Sequence, residues 1–328
     1  MPPTSRRAVC RLLLAAPACG RVTPSFAADW PSRGITILVG VAPGGTADLA
    51  ARVIAQELQP ALPGNRPVVV ENRAGAATQI ATEALVRAPA DGHTLLVAGA
   101  PFAVNPALFP RLPYDSVRDI APLTLLVRNG LLLLVPAASP ARDAAGLLAL
   151  ARQRGGLNLA SAGSGSMTHL AIELLAERTG TNLVHVPYRG SGPALPDLIS
   201  GQVDAMFDNP SSALPLLREG RLRALAYTGE ARFPSLPEVP ALAETPGLAG
   251  FSAENWFGLF ARAGTPEPVL ERLHAAVTAI LRRPEVVARF RQDGSEAAPM
   301  SRAAFRDFVL AEMVRWGEVV KARGITPG

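Results

Sequence analysis

Two short stretches of the chain carry residue types suited to holding an anion. In "VGVAPGGTADLAAR" (39–52) an apolar run meets Gly44 and Gly45, and a helical pattern then begins near Thr46. Glycines let the backbone pass close to a ligand, and the first N–H groups of a helix, here those of Thr46, Ala47 and Asp48, have no partner inside it. They also sit at its positive end. "LNLASAGSGSMTHLAIELL" (157–175) repeats the layout, with a loop of Gly163, Ser164, Gly165 and Ser166 between a strand and a helix. Each loop has a plainer explanation: a Gly-rich turn in which Asp48, Ser166 or Thr168 only caps its own helix. As a pair at matching places, the two loops favour binding.

Other chemistries can be written on the same residues. Ser164, Ser166, His169 and Asp208 compose a Ser/His/Asp set, but no Gly-x-Ser-x-Gly elbow surrounds either serine, so hydrolysis is the weaker reading. His93, His185 and His274 show no metal-ligand spacing, and no metal or cofactor is expected. Neither loop is followed by Gly-Lys-Ser/Thr or completes a dinucleotide fingerprint. Neither loop contains Lys or Arg. Backbone amides and hydroxyls must therefore be the donors, each hydrogen bond to a charged group contributing about 1.5–3 kcal/mol. Four or five such bonds, less desolvation and closure, reach the roughly −8 kcal/mol of micromolar binding. A carboxylate suits that better than a nucleotide. "LVHVPYRGSGPALPDLISGQVDAMFDN" (183–209) places Tyr188 and Asp208 at successive strand ends. Both are expected at the cleft edge beside Gly163, unless Tyr188 and His185 merely pack the turn.

The elements that must position these residues follow an α/β pattern. "ITILVGV", "RPVVVE" and "HTLLVAG" alternate with stretches of helical period and predict a βαβαβ unit with a parallel sheet. A Pro-rich stretch, "PFAVNPALFPRLPYD", precedes "LTLLVRNGLLLLVP" (123–136), which is long enough to pass from one domain into another. A second βα series runs to "LRALAYT". A Pro-rich return (232–250) leads to "NWFGLFA" and closing helices. Two series joined by two extended passages predict two lobes, with a small-ligand cleft between them.

The chain has 328 residues, enough for two domains of ordinary size, and both cysteines, Cys10 and Cys19, lie in the opening segment. That segment pairs Arg6 and Arg7 with a short Leu/Ala run and small residues before Ala28, the pattern of an export signal over 1–28. The general and twin-arginine routes both remain open, and a lipidated Cys19 is a further alternative. Without the segment the mature chain has no disulfide and no thiol, and the formal charge falls from +5 to +1. That balance gives little reason to expect nucleic acid as a partner.

These motifs together resemble a family, the periplasmic solute-binding proteins of tripartite tricarboxylate transporters, or Bug receptors. "APGGTADLAAR", "VVVENRAGA", "ADGHTLLV", "YDSVRDIAPLTLL", "NLASAGSGSMTHLAIELL" and "VHVPYRGSGPALPDLISGQVDAMFDN" carry the likeness, which continues to the closing "EMVRW". The resemblance implies a type II, two-lobed periplasmic binding fold that closes on a small organic acid. Its lobes would be 29–128 with 245–328, and 129–244. First-lobe contacts would be Gly44, Gly45, Thr46 and Asp48, with Ala77, Thr78, Ala100 and Pro101 beside them. Second-lobe contacts would be Gly163, Ser164, Ser166 and His169, with Asp208 near the ligand's far end. It implies a monomeric receptor serving membrane transporter subunits, the alternative being a sensor that reports occupancy to a membrane partner. Two departures stand out. "GAATQIA" (75–81) replaces the family's Gly-Ala-Gly-Gly-Asn-Ile-Gly, and Val41 stands where an aromatic residue is common. They imply a different carboxylate, bulkier on the Val41 side.

Overall fold

The computed structural model describes residues 30–327. The export segment expected over 1–28 lies outside the described residues. The chain opens with β1 (Ile35–Val39), α1 (Thr46–Ala61), β2 (Val68–Asn72), α2 (Gln79–Arg87) and β3 (Thr94–Gly99). α3 (Ala100–Leu108) and β4 (Ile120–Gly130) follow. A second series comprises β5 (Leu132–Pro136), α4 (Ala144–Arg154), β6 (Leu157–Ser161), α5 (Met167–Thr179) and β7 (Leu183–Pro187). It ends with α6 (Ser191–Ser200), β8 (Ala205–Asp208), α7 (Pro210–Arg218) and β9 (Leu222–Tyr227). β10 (Glu254–Arg262), α8 (Glu267–Leu281), α9 (Pro284–Gln292), β11 (Glu296–Ala297) and α10 (Arg302–Arg323) close the chain.

The strands form two sheets, ordered β11-β4-β10-β3-β1-β2 and β7-β6-β8-β5-β9. β1 lies parallel to β2 and β3, as the βαβαβ pattern predicts, and β10 returns antiparallel between β3 and β4. In the second sheet β6 is parallel to both β7 and β8. Helices cover both faces of the first sheet, which is why Ile35, Ile37, Leu38 and Val39 are all buried rather than alternating with polar residues. α1 buries Ala47, Ala50, Ala51, Ile54 and Leu58, one stripe at helical spacing. This is a two-lobed α/β architecture.

The Pro-rich stretch holds a helix, α3. Pro101 falls in its first turn, where no N–H is needed, and Phe102, Val104 and Leu108 are buried. Burial outweighs the interior Pro106.

The lobes meet where the chain crosses between sheets. The Gly130 N–H donates to the Tyr227 hydroxyl at 2.6 Å, and the Leu131 N–H donates to Thr228 Oγ1 at 2.7 Å. Thr228 in turn donates to the Ala253 carbonyl. A Cβ on Gly130 would lie 2.5 Å from the Gly229 nitrogen, so only glycine fits this crossing. Asn209 Oδ1, after β8, accepts from Asn129 on β4 and Asn255 on β10. An apolar cluster spans both lobes, joining Phe102 and Phe260 with Leu133, Leu159, Leu170 and Phe207. On the first-lobe side, the indoles of Trp256 and Trp316 both donate to Glu312 Oε2 at 2.8 Å.

Candidate functional site

The first-lobe loop leaves the C-terminal end of β1 and enters α1 through Gly45 (φ −90°, ψ 174°), with no side chain capping the helix. Gly44 takes φ +95°, a conformation that favours glycine. Asp48, buried one turn into α1, ties the loop down. Its Oδ2 accepts from the Gly44 N–H and from Arg52 Nε, each at 3.0 Å, and its Oδ1 accepts from Asn72 Nδ2 at 3.0 Å. Asn72 also donates to the Val41 carbonyl. Burial alone would raise the Asp48 carboxyl. The bonds from Arg52, Gly44 and Asn72 outweigh it and hold the group below the usual carboxylate range. Asp48 is thus charged and spent on the loop itself. The N–H groups of Gly45, Thr46 and Ala47 make no hydrogen bond among the described residues.

The 75–78 loop lies against the same strand end. A Cβ on Gly40 would come within 2.6 Å of Thr78 Cβ. Ala76, Ala77 and Thr78 take φ of +45°, +49° and +72°, left-handed backbone in three consecutive non-glycine residues. Each such residue costs on the order of 1 kcal/mol or more, and a β-branched one such as Thr78 is a marked outlier. The chain thus takes a left-handed path over "GAATQIA" without the glycines that would ease it. Asn105 of α3 steadies it by donating to the Ala77 carbonyl at 2.8 Å. The Thr78 hydroxyl is buried with no partner among the described residues. Ala100 is fully buried at the start of α3, with Pro101 half-buried beside it.

The second-lobe loop leaves β6 and enters α5 through Ser166, whose Oγ accepts from the His169 N–H at 3.3 Å. Ser166 Oγ also donates to the Gly163 carbonyl at 2.6 Å and lies 2.8 Å from Thr168 Oγ1, which accepts from the Ala162 N–H. His169 is buried, and its Nδ1 accepts the Gly165 N–H at 3.1 Å, so the ring proton belongs on Nε2, which lies 3.5 Å from Glu173 Oε1. His169 stacks on His185 with centroids 3.6 Å apart, and His185 Nε2 meets Ser161 Oγ at 2.6 Å. Burial, helped by His169, pushes the His185 imidazole down to about 4. The Ser164 hydroxyl and the N–H groups of Ser164, Met167 and Thr168 make no hydrogen bond among the described residues.

The hydrolytic set is not assembled. Both ring nitrogens of His169 are directed elsewhere, and Ser166 reaches only its backbone. Asp208 is fully buried, with Oδ1 accepting from Ser191 at 2.5 Å and Oδ2 from Ser212 at 2.6 Å. Burial raises its carboxyl despite these bonds. Its part in the structure is to join the starts of α6 and α7. The Tyr188 hydroxyl donates to Asp197 at 2.7 Å, and its carbonyl would lie 3.1 Å from a Cβ on Gly163, so it does border that loop.

Three positions escape sequence reasoning. Asn72 and Asn105 organise the first-lobe loops from neighbouring elements, and of the two only Asn72, a polar residue closing a β-branched run, leaves a visible signal; Thr168, expected only as a cap, holds the Ala162 N–H. Arg189, at the turn whose Gly190 N–H donates to the Ala162 carbonyl, is exposed and forms no ion pair among the described residues. It sets a positive charge beside a loop that has none. Among the described residues no cluster of three His, Cys, Asp or Glu suits a metal ion, and no helix is long and apolar enough to cross a membrane.

Comparison with known proteins bears on this geometry. Residues 50–325 match the model of the tripartite tricarboxylate transporter family receptor. A relative from Pseudomonas sp. strain P51, a UPF0065 protein in the tcbD-tcbE intergenic region, is 41% identical over 315 residues, covering 94% of this chain and 93% of its own. Among solved structures, R. palustris Rpa4515 with adipate superposes at TM-score 0.84 and 34% identity, over 92% of this chain and 100% of that one. The periplasmic binding protein BugD gives 0.81 at 31% identity over 91% and 100%. MatC from Rhodopseudomonas palustris with bound malate gives 0.78 at 36% identity over 89% and 100%.

Proposed function

The chain belongs to the tripartite tricarboxylate transporter family of receptors, and from that premise we propose that it captures a small organic carboxylate between its lobes and delivers it to a membrane transporter. It is a periplasmic carboxylate-binding receptor. The observation that carries the reading is the pair of helix starts, α1 and α5, each presenting unpartnered N–H groups at the C-terminal end of a parallel strand. Oriented amides at the positive end of a helix hold a carboxylate without a cationic side chain. The N–H groups of Gly45, Thr46 and Ala47 hold one carboxylate end, and those of Ser164, Met167 and Thr168, with the Ser164 hydroxyl, take the other. Asp48, His169 and Asp208 shape the site from behind. Arg189 draws anions toward the second-lobe loop. The two sheets support a division into lobes near 129 and 245. Adipate and malate, the ligands of two related structures, define the class to try first. The ligand is bound and released unchanged.

The test is thermal unfolding of the ligand-stripped chain against mono-, di- and tricarboxylates, aromatic acids and phosphate. A ligand at a hundred times its Kd stabilises by about 2.7 kcal/mol, a shift of several degrees. Stabilisation confined to certain carboxylates is expected. A response to phosphate alone, or to no acid at all, overturns the reading.

A further inference from the structure

The second-lobe loop is tied to the first lobe by a contiguous set of side chains. Arg323, in the last turn of α10, donates through Nε to Glu173 Oε2 at 2.6 Å. Glu173 Oε1 faces His169 Nε2 at 3.5 Å, and His169 Nδ1 accepts the Gly165 N–H. Gly165 itself abuts the first lobe, since a Cβ there would lie 2.6 Å from Leu108 Cδ2 of α3. Glu173 is nearly buried, its side chain 11% exposed, whereas that of Arg323 is 35% exposed. α10 packs along α3 and β4 of the first lobe, so the guanidinium is supplied by the lobe opposite the loop.

The chemistry runs in one direction. A neutral imidazole can accept the Gly165 N–H on Nδ1 only when its proton sits on Nε2. A carboxylate opposite Nε2 favours that tautomer, and a guanidinium holding the carboxylate fixes its rotamer. With the proton on Nδ1 instead, two N–H groups would face each other and Gly165 would turn, carrying Ser164 and the start of α5 with it.

We propose that Arg323 is a positioning residue for carboxylate binding, acting through Glu173 and His169 to set where the amides around Ser164 meet a ligand held by the first lobe. The proposal rests on the carboxylate-receptor reading of the preceding subsection. Its first readout is therefore independent of any ligand.

The experiment compares wild type, Arg323→Met, Arg323→Lys and Glu173→Gln by ¹⁵N NMR of the His169 ring and by calorimetric titration with adipate and malate. Wild type should show the Nε2-protonated tautomer. Arg323→Met should mix the tautomers, weaken binding about tenfold and lower the melting temperature because Glu173 loses its partner, and Arg323→Lys should restore much of all three. Glu173→Gln should show the same tautomer change, and if it fails to fold the exposed Arg323 still decides. An unchanged His169 signal in Arg323→Met overturns the proposal, whatever happens to affinity. If neither acid binds wild type, the choice of ligand class has failed, and the tautomer result alone still decides whether Arg323 positions the loop.

Discussion

The starts of α1 and α5 occupy matching places in the two lobes and are built in opposite ways. α1 begins at an exposed Gly45 with no capping side chain, and Asp48 pulls on Gly44 from inside the helix while Asn72 holds the Val41 carbonyl behind it. α5 begins at Ser166, which caps its own helix, and Thr168, His169 and Ser161 bind the loop from three further directions. Each end leaves three N–H groups open, so several kcal/mol of potential hydrogen bonding remain at both, but the second loop is braced by more of its own side chains. The first is the more loosely braced place for an anion. The second is the more firmly framed one.

The largest effect should come from removing a donor at the open end. Gly45 already has the extended backbone required before proline, and proline is tolerated at the first helical position, so Thr46→Pro should fold normally. It should lose about 1.5–3 kcal/mol of carboxylate affinity, roughly 10- to 150-fold, relative to Thr46→Ala in calorimetric titration. Unchanged binding would remove the contrast between the two ends.

Acid should act on the second end first. His185 lies at about 4 in the folded protein and near 6.5 when unfolded, so between these values the unfolded chain binds the extra proton. Stability is complete above about 6.5 and falls as pH drops toward 4, by on the order of 2 kcal/mol. Asp48 has the opposite sign of origin and a lower window. Its depressed carboxyl contributes above the ordinary aspartate value, near 3.9, and that contribution disappears only as pH falls through the lower folded value. Denaturant midpoints of wild type and His185→Gln measured from pH 7 to 4 should converge in the variant's favour across the histidine window.

Two smaller substitutions exchange the characters of the ends. Ser166→Ala should cost about 1 kcal/mol of stability by denaturant unfolding, since it removes a cap and the bond to Gly163. Gly45→Ser should add a few tenths of a kcal/mol, because a Cβ there meets nothing within 4 Å and the new hydroxyl can cap α1. The same variant should bind carboxylates more weakly by occupying an amide the ligand needs.

Local patterns made much of this legible in the sequence. The alternation of β-branched runs with helical periods gave the parallel strands, and the glycines at 44, 45 and 163 marked where backbone would be free. What escaped depends on contacts distant in sequence. Nothing near His169 announces that His185, on the next strand, will stack on it, or that Arg323 will reach Glu173. A carboxylate ending a strand placed Asp208 at the cleft edge, but the serines that engage both its oxygens lie on two different helices and leave no local signal. The left-handed turn at 76–78 was invisible for a different reason. Alanine and threonine give no local signal for that backbone, and Asn105, 28 residues on, helps to hold it.

The indoles of Trp256 and Trp316, joined at Glu312, have an optical consequence. The remaining tryptophan, Trp30, packs in the apolar cluster beneath β1 and α8, so residues 131–227, the whole second sheet and its helices, contain none. All three tryptophans therefore belong to the first lobe, two of them in the cluster it shares with the second. Trp316, on the helix that packs against α5, is placed to report a change on that side, whereas a rearrangement deeper in the second sheet calls for an added fluorophore.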